Sequence, residues 1–368
     1  MGIYDLAGNV YEWTLEYASF TSIPCVIRGG GCSSRGYWGY ANNRGGWSTT
    51  ESDPICGFRV TLFKDESSTG EGEVPEGAYV PEGYSVVSQA TADTGYTIRD
   101  GSGNEYVWVE VPKTIYDDAS YNTETTTGDK KPSSSTDYDN IEYCLKKYTA
   151  TYRGDTTFAD QHPESTVETN TGLTTTKYTE LKEDMLKSVY ENGGFYVGKY
   201  ETGIENSYRK YDIEDTTIHP ITEIPVVKAN AYPYNWVTCS QAQTLASGLD
   251  SGGYTSSLMF GIQWDLVMKH IEVQAVENGT KLETIQALLT TDTAGHGNYI
   301  NEEFDITNEK AKYAIFDYQI FGTSTLYDYL EAPYSKASGT IALLTTRASE
   351  SFGLYGLYDL AGNVEELT

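Results

Sequence analysis

Basic residues are scarce in this sequence. It has 25 lysines and arginines against 53 aspartates and glutamates, and the formal net charge is −28. Nucleic acid is therefore excluded as an expected partner, because phosphate binding needs clustered Lys and Arg. Long apolar runs are missing too, and none approaches the roughly 18 residues that a membrane span needs. We expect no membrane span in this chain.

Cysteine and histidine are also few, with five and four residues. The odd cysteine count includes no CxxC pair and no histidine at zinc-finger spacing, so we expect no zinc site. Spacing alone predicts no disulfide pairing for the five cysteines, which are Cys25, Cys32, Cys56, Cys144 and Cys239.

Aromatic residues, by contrast, are plentiful and include 32 tyrosines. This composition favours a folded, loop-rich protein with a β preference over a disordered chain. The charge is distributed unevenly, because residues 1–64 hold five acids and five bases. The whole net charge therefore lies in residues 65–368, and the chain has two parts of different electrostatic character.

Low-complexity segments divide the chain. Residues 65–82 are rich in Gly, Glu, Ser and Pro, which predicts a linker. Residues 120–176 are rich in Thr and Ser around the island "IEYCLKKY", which predicts a long surface insertion with some local structure.

Periodic patterns predict the regular elements. "EYVWVEVP" alternates as a strand does, and "YTELKEDMLKSVYENGGFYVGKYETG" predicts a helix, a Gly-Gly stop and a strand. "TCSQAQTLASGL" and "GIQWDLVMKHIE" predict two further helices, with Ser240 as a candidate cap for the first. Together these patterns predict an α+β fold with short strands, few helices and much loop.

One motif occurs at both ends of the chain. "GIYDLAGNVYEW" spans Gly2–Trp13 and "GLYDLAGNVEEL" spans Gly356–Leu367, and nine of the twelve positions agree. With the blocks "FYVGKYETG", "IPVVKANAYPYNWVTCSQAQTLA", "LMFGIQWDLV", "VIRGGG" and "GFRV", the motif resembles the formylglycine-generating-enzyme-like (sulfatase-modifying factor) domain. The resemblance implies a decorated C-type-lectin-like fold.

The order of the blocks implies two complementary pieces of that domain. Residues 1–64 resemble its C-terminal half and residues 83–368 its N-terminal part, so the motif ends one piece and begins the other. A tandem array cut at the motif and a circular permutation both explain this order. Either way, the short half would expose a large apolar patch alone. We expect the two pieces to pack as one composite unit, with the second motif displaced or competing for the place of the first.

The motif offers a set of oxygen donors suited to a hard cation. In the first copy these are the side chains of Asp5 and Glu12 and the carbonyls of Gly8 and Val10. The alternative from the residues alone is a Gly-Asn turn with solvated acids. The resemblance implies a calcium ion at these four positions and, in the second copy, at Asp359, Gly362, Val364 and Glu366.

Catalysis is not favoured, although it stays open. The oxidase that makes formylglycine needs a copper-binding cysteine pair after its RGGS block, and only Cys32 stands in that part of this chain. The iron-dependent sulfoxide synthases of the same fold need two His and a carboxylate on a helix. Here His162, His219, His270 and His296 lie far apart. We therefore expect neither copper nor iron.

Ligand binding is the favoured function. Between "RGG" and "GFR" the chain resembles the variable proteins of diversity-generating retroelements, and most residues from 32 to 56 are reachable from Asn codons. The alternative is an undiversified binding or structural module with an ordinary Gly-rich loop. Tyr, Trp and Arg in such a loop are typical of binding surfaces. The expected contact residues for a protein or glycan ligand are Arg35, Tyr37, Trp38, Tyr40, Asn42, Asn43 and Trp47.

Two further expectations attach to this loop. Trp38 and Trp47 are either contact residues or buried packing, and the sequence leaves both alternatives open. The family resemblance favours a bacterial or phage protein that acts outside the cell, at the cell surface or on a phage particle.

Overall fold

The computed structural model describes residues 9–64, 78–88, 95–125, 128–154, 158–211, 217–249, 253–293, 295, 297–317, 325–326, 328–331 and 334–349. Its strands are β1 (Tyr11–Ala18), β2 (Cys25–Arg28), β3 (Arg44–Trp47), β4 (Cys56–Phe58), β5 (Val60–Lys64), β6 (Ser85–Ser88), β7 (Thr97–Arg99), β8 (Glu105–Glu110), β9 (Thr123–Glu124), β10 (Gly128–Asp129), β11 (Phe158–Ala159), β12 (Gly194–Gly198), β13 (Gly203–Ile204), β14 (Tyr232–Pro233), β15 (Tyr254–Leu258), β16 (Phe304–Asp305), β17 (Lys312–Asp317), β18 (Thr325–Leu326), β19 (Leu330–Glu331), β20 (Ser335–Lys336) and β21 (Ile341–Leu344).

The helices of the described residues are α1 (Ala119–Asn122), α2 (Tyr138–Tyr148), α3 (Val167–Thr171), α4 (Thr175–Asn192), α5 (Cys239–Ser247), α6 (Gly261–Glu277) and α7 (Leu282–Thr290), with 3₁₀ turns at Lys113–Tyr116 and Ala150–Tyr152. The α+β class predicted from the sequence is confirmed, since these few helices accompany many short, mainly antiparallel strands. Among the described residues, none of the helices is both long and apolar enough to cross a membrane.

The largest sheet joins the two parts of the chain. Its strand order is β15-β5-β12-β8-β7-β6, and every pair in it is antiparallel. Strand β5 lies inside this sheet, with Leu62 opposite Tyr196 on one side and opposite Ser256 on the other. A strand from the N-terminal part therefore makes its ladder hydrogen bonds with strands that come much later in the sequence.

A second sheet carries the segment that leads to the predicted ligand-binding loop, residues 32–56. Its order is β11-β1-β2-β3, and β4 pairs with β1 in parallel. Arg28, at the end of β2, lies opposite Glu12 on β1 and opposite Arg44 on β3. The "RGG" and "GFR" blocks thus begin on strands of one sheet, on either side of β1, which brings the two ends of the loop together.

The predicted helices form, with one change in capping. Helix α4 begins at the cap Thr174, whose hydroxyl accepts the Lys177 amide at 3.3 Å, and it ends at Gly193, which has a left-handed φ of 73°. For α5 the candidate cap Ser240 is wrong. Thr238 is the cap and forms a capping box with Gln241, because its backbone is still extended at that point.

The main hydrophobic core draws on both parts of the chain. It holds Trp13 and Phe58 from the N-terminal part together with Trp264 and Phe195 from the later part. The Thr- and Ser-rich stretch 120–176 was predicted to be a surface insertion, but part of it lies in the core. Its helix α2 buries Ile141, Cys144 and Leu145 in the same core, because the apolar island lies on one helical face.

Candidate functional site

The loop after β2 is closed by two glycines. The Cα of Gly30 lies so near Gly39 that a Cβ on Gly39 would be 2.9 Å from it, and a Cβ on Gly30 would overlap the Gly39 carbonyl. Real Cβ atoms do not approach other atoms this closely, so both positions need glycine. Their contact turns residues 31–38 into a compact loop with its ends together.

Residues 293–301, from the later part of the chain, hydrogen-bond to the backbone of this loop. The amide of Gly36 donates to Oδ1 of Asn301 at 3.2 Å, and its carbonyl accepts the amide of Thr293 at 3.2 Å. The carbonyl of Ser34 accepts the amide of Ile300 at 3.1 Å. These hydrogen bonds give the backbone of the loop a defined position on a scaffold that lies far away in sequence.

A buried lysine supports the same scaffold segment. The Nζ atom of Lys336 donates to the carbonyl of Tyr299 at 2.6 Å and to that of Glu302 at 2.9 Å. The phenol of Tyr299 donates in turn to the carbonyl of Gly39. Burial lowers the pKa of Lys336 to about 8. Because this pKa is still above neutral pH, the side chain is mainly in its ammonium form there. It bridges two backbone carbonyls beneath the loop.

Three side chains project from the clamped loop into solvent. Trp38 is 61% exposed and Tyr37 is 40% exposed, and their rings meet edge to face at 5.2 Å. The guanidinium of the exposed Arg35 donates to the Tyr37 hydroxyl at 2.7 Å and lies 5.5 Å from the centre of the Trp38 ring. We call Arg35, Tyr37 and Trp38 the loop patch. It presents a cation and two aromatic rings in one pre-ordered group.

The other predicted contact residues lie elsewhere. Tyr40 and Asn43 are partly buried. Asn42 is buried, and its carbonyl accepts a hydrogen bond from Arg28 at 3.2 Å. Trp47 packs against the main core. The alternatives for the two tryptophans thus separate, since Trp38 is exposed and Trp47 serves packing.

The middle of the predicted loop is a strand tied to the protein interior. On β3, Arg44 donates to both carboxylate oxygens of Asp265, at 3.0 and 2.8 Å, and to Glu16 at 2.9 Å. Arg28 contacts the same two carboxylates, and Arg153 contacts Asp265 at 3.3 Å. Burial acts to raise the pKa of Glu16, but the charges of Arg28 and Arg44 outweigh it and hold the pKa below its ordinary value.

This buried cluster limits the surface that residues 32–56 provide. Its side chains come from both parts of the chain, so Arg44 has a structural partner on α6 and is not available for a ligand. Beyond β3, exposed polar side chains return at Thr50 and Glu51. The exposed positions therefore form two short groups, the loop patch and the segment near residue 50.

The two cysteines at the ends of the segment 32–56 are buried thiols. Cys32 and Cys56 are both fully buried, and burial raises the pKa of each thiol well above its ordinary value. All five cysteines lie in the described part of the chain and are free thiols.

The structure describes two of the four calcium donors predicted in the first motif copy, Val10 and Glu12. Asp5 and Gly8, and in the second copy Asp359, Gly362, Val364 and Glu366, lie outside the described residues. Glu12 is buried beside Arg59, whose Nε lies 3.0 and 3.2 Å from its two oxygens. Burial raises the pKa of Glu12 to about 7, and the charge of Arg59 opposes the rise.

One of the two described donors already has a charged partner. The charge of Glu12 is already compensated by the Arg59 guanidinium. In the part of the chain that the structure covers, no three His, Cys, Asp or Glu side chains are grouped to hold a metal ion. The calcium ion stays a prediction.

Comparison of this chain with protein-family models, with curated proteins and with solved structures found no match.

No signal in the sequence marks the partners that position the loop. Asn301, Tyr299 and Thr293 belong to no block of the resemblance, and they lie far along the chain from the loop that they hold. The sequence shows that residues 30 and 39 are glycines, but it does not show that they contact each other, because the contact depends on the path of the chain.

Proposed function

We propose that this chain is a non-catalytic ligand-binding protein of the formylglycine-generating-enzyme-like family, built on a C-type-lectin-like scaffold. A protein or glycan ligand binds at the loop patch. One observation carries the proposal: Arg35, Tyr37 and Trp38 are exposed together on a loop whose backbone is clamped by glycine contact and by hydrogen bonds. Aromatic and arginine side chains that are already ordered lose little entropy on binding.

The experiment compares alanine variants of the patch with an exposed aromatic elsewhere. Wild type, Tyr37→Ala and Trp38→Ala are tested for binding to a glycan array and to a panel of purified bacterial surface proteins. Phe20, which is 46% exposed in the turn between β1 and β2, is the matched control, because that turn lies at the opposite end of β2. Each patch variant should weaken binding by at least about 1 kcal/mol at unchanged melting temperature. An equal loss in Phe20→Ala would contradict the proposal.

Diversification by a retroelement is the finer part of this proposal. Substitutions should then fall on exposed positions such as 35, 37, 38 and 50, because a change of an exposed side chain leaves the packed interior intact. Gly30, Gly39 and Arg44 should stay constant, since each has a defined packing role. Nucleotide comparison of close relatives tests this. Adenine-directed changes that strike Arg44 as often as Tyr37 would argue against it.

The calcium ion implied by the resemblance has its own test. Calcium should raise the melting temperature of wild type and leave that of Asp5→Ala unchanged, because binding to the folded state alone stabilises it. An equal response of both proteins, or none in either, would leave the motif as a turn.

A further inference from the structure

Residue Asn9 of the first motif copy contacts three distant segments of the chain. The Asn9 carboxamide donates to Oε2 of Glu201 at 2.9 Å and to the carbonyl of Leu344 at 2.8 Å, and it accepts the Leu344 amide at 3.1 Å. Asn298 donates to the same side chain at 3.4 Å. We call the site lined by Glu201, Asn298 and Leu344 the motif slot.

The contacts made in the slot use groups that both motif copies possess. Asn9 corresponds to Asn363 of the second copy, and Val10, whose amide donates to Glu201, corresponds to Val364. Glu12, the partner of Arg59, corresponds to Glu366. The hydrogen bonds in the slot and the Glu12–Arg59 ion pair therefore do not distinguish one copy from the other.

Two positions that differ between the copies do make distinguishing contacts. Tyr11 is buried, with its hydroxyl 3.0 Å from Oγ of Ser34, and the second copy has Glu365 there. Trp13 is buried and donates to the carbonyl of Val237 at 3.0 Å, and the second copy has Leu367 there. A buried carboxylate at the first position and a smaller, non-donating side chain at the second would both be unfavourable.

We infer that the motif slot is a binding site for either copy of the motif in the same molecule, and that Tyr11 and Trp13 select the first copy. The second copy, Gly356–Leu367, is the competing occupant. Its reach is sufficient. Residues up to Ser349 are held by hydrogen bonds, but the stretch from Ser349 to Asn363 is longer than the stretch from the slot residue Leu344 to Ser349, and each residue extends the chain by about 3.5 Å. The two copies therefore compete for one site, and the side chains at two positions decide which copy occupies it.

The test exchanges the selecting residues in the full chain. Variant Tyr11→Glu/Trp13→Leu/Glu365→Tyr/Leu367→Trp keeps the composition and moves the preferred side chains to the second copy. Hydrogen exchange should then show protection of the amides of 364–367 rising at least about tenfold over wild type, with matching loss at 10–13. Asn363→Ala should lower the melting temperature in this background and not in wild type, whereas Asn9→Ala should do the reverse.

A gentler variant covers the case in which the fourfold change does not fold. Glu365→Tyr/Leu367→Trp leaves the first copy intact and should make exchange at 10–13 biphasic, as both copies share the slot. Asn363→Ala added to this variant is the matched control and should restore the wild-type pattern. Exchange identical to wild type in the folded double variant would overturn the inference. Concentration-dependent dimers carrying the new protection would also overturn it, since the occupant would then come from another molecule.

Discussion

Arg44 and Asp265 form an ion pair in the protein interior, in which the guanidinium Nη2 atom donates to both carboxylate oxygens, at 3.0 and 2.8 Å. Arg44 belongs to the N-terminal part of the chain and Asp265 to helix α6, so the pair joins the two parts. Arg28 and Arg153 contact the same carboxylate. Asp265 is therefore the shared counter-charge for three guanidinium groups.

Replacing this aspartate should unfold or strongly destabilise the protein. Asp265→Ala leaves Arg28 and Arg44 buried beside Glu16 alone, and breaking such a buried network costs about 3–5 kcal/mol. The free energy of unfolding in urea measures the loss. Asp328→Ala is the matched control, because Asp328 pairs with Lys210 on the surface and its loss should change stability by less than about 0.5 kcal/mol. Equal effects of the two variants would contradict the interior role of the cluster.

The contact of Gly30 with Gly39 predicts a sharp response to one added methyl group. Gly30→Ala should cost about 1–3 kcal/mol, because the new Cβ would overlap the Gly39 carbonyl and lie 2.9 Å from the Tyr299 ring. Gly101→Ala is the control, since a Cβ there meets nothing within 4 Å. Thermal unfolding compares the two. A Gly30→Ala protein as stable as the control would show that the loop closes in another way.

Cutting the chain between its two parts should leave them together. A protease site inserted after Gly70 allows cleavage within residues 65–77. The fragments should co-elute in size-exclusion chromatography and separate only in denaturant, because β5 is hydrogen-bonded on both edges inside the large sheet. The uncut protein is the control. A folded fragment of residues 1–70 that elutes alone would contradict a composite unit.

Acid should destabilise the protein through buried histidine. Burial lowers the pKa of His162 from 6.5 to about 4, and His162 lies between the rings of Tyr17 and Tyr178. The folded state then binds fewer protons than the unfolded state between these values. The contribution of neutral His162 to the free energy of unfolding is fully present above pH 6.5. About 3 kcal/mol of it is lost as the pH falls to 4.

The variant His162→Gln isolates that contribution. It keeps a neutral side chain beside Asn170, the present hydrogen-bond partner of the ring at 3.1 Å, and should flatten the dependence of unfolding free energy on pH. His270, whose pKa is also lowered to about 4 by burial, provides the parallel variant His270→Gln. A double variant with the full wild-type slope would rule out histidine as the source.

The local elements and the α+β class were accessible from the sequence, because they depend on short-range patterns. The spacing of Leu181, Met185 and Val189 and the glycine at 193 predict helix α4 and its end, and the structure confirms both. The cap of α5 was missed by two positions, since Thr238 and Ser240 offer the same kind of hydroxyl. Only the backbone conformation distinguishes them.

What the tertiary structure alone decided is which side chains remain available to a ligand. Arg35 and Arg44 both lie in the segment 32–56, where the sequence predicts a binding surface, yet Arg35 lies in solvent with Tyr37 and Trp38 while Arg44 is paired with Asp265. The difference arises from strand pairing that places β3 beside β2 and from a helix that comes much later in the chain. A sequence determines local conformation and the supply of charged and aromatic groups, but burial is a property of the packed chain, because it depends on partners that no local pattern names.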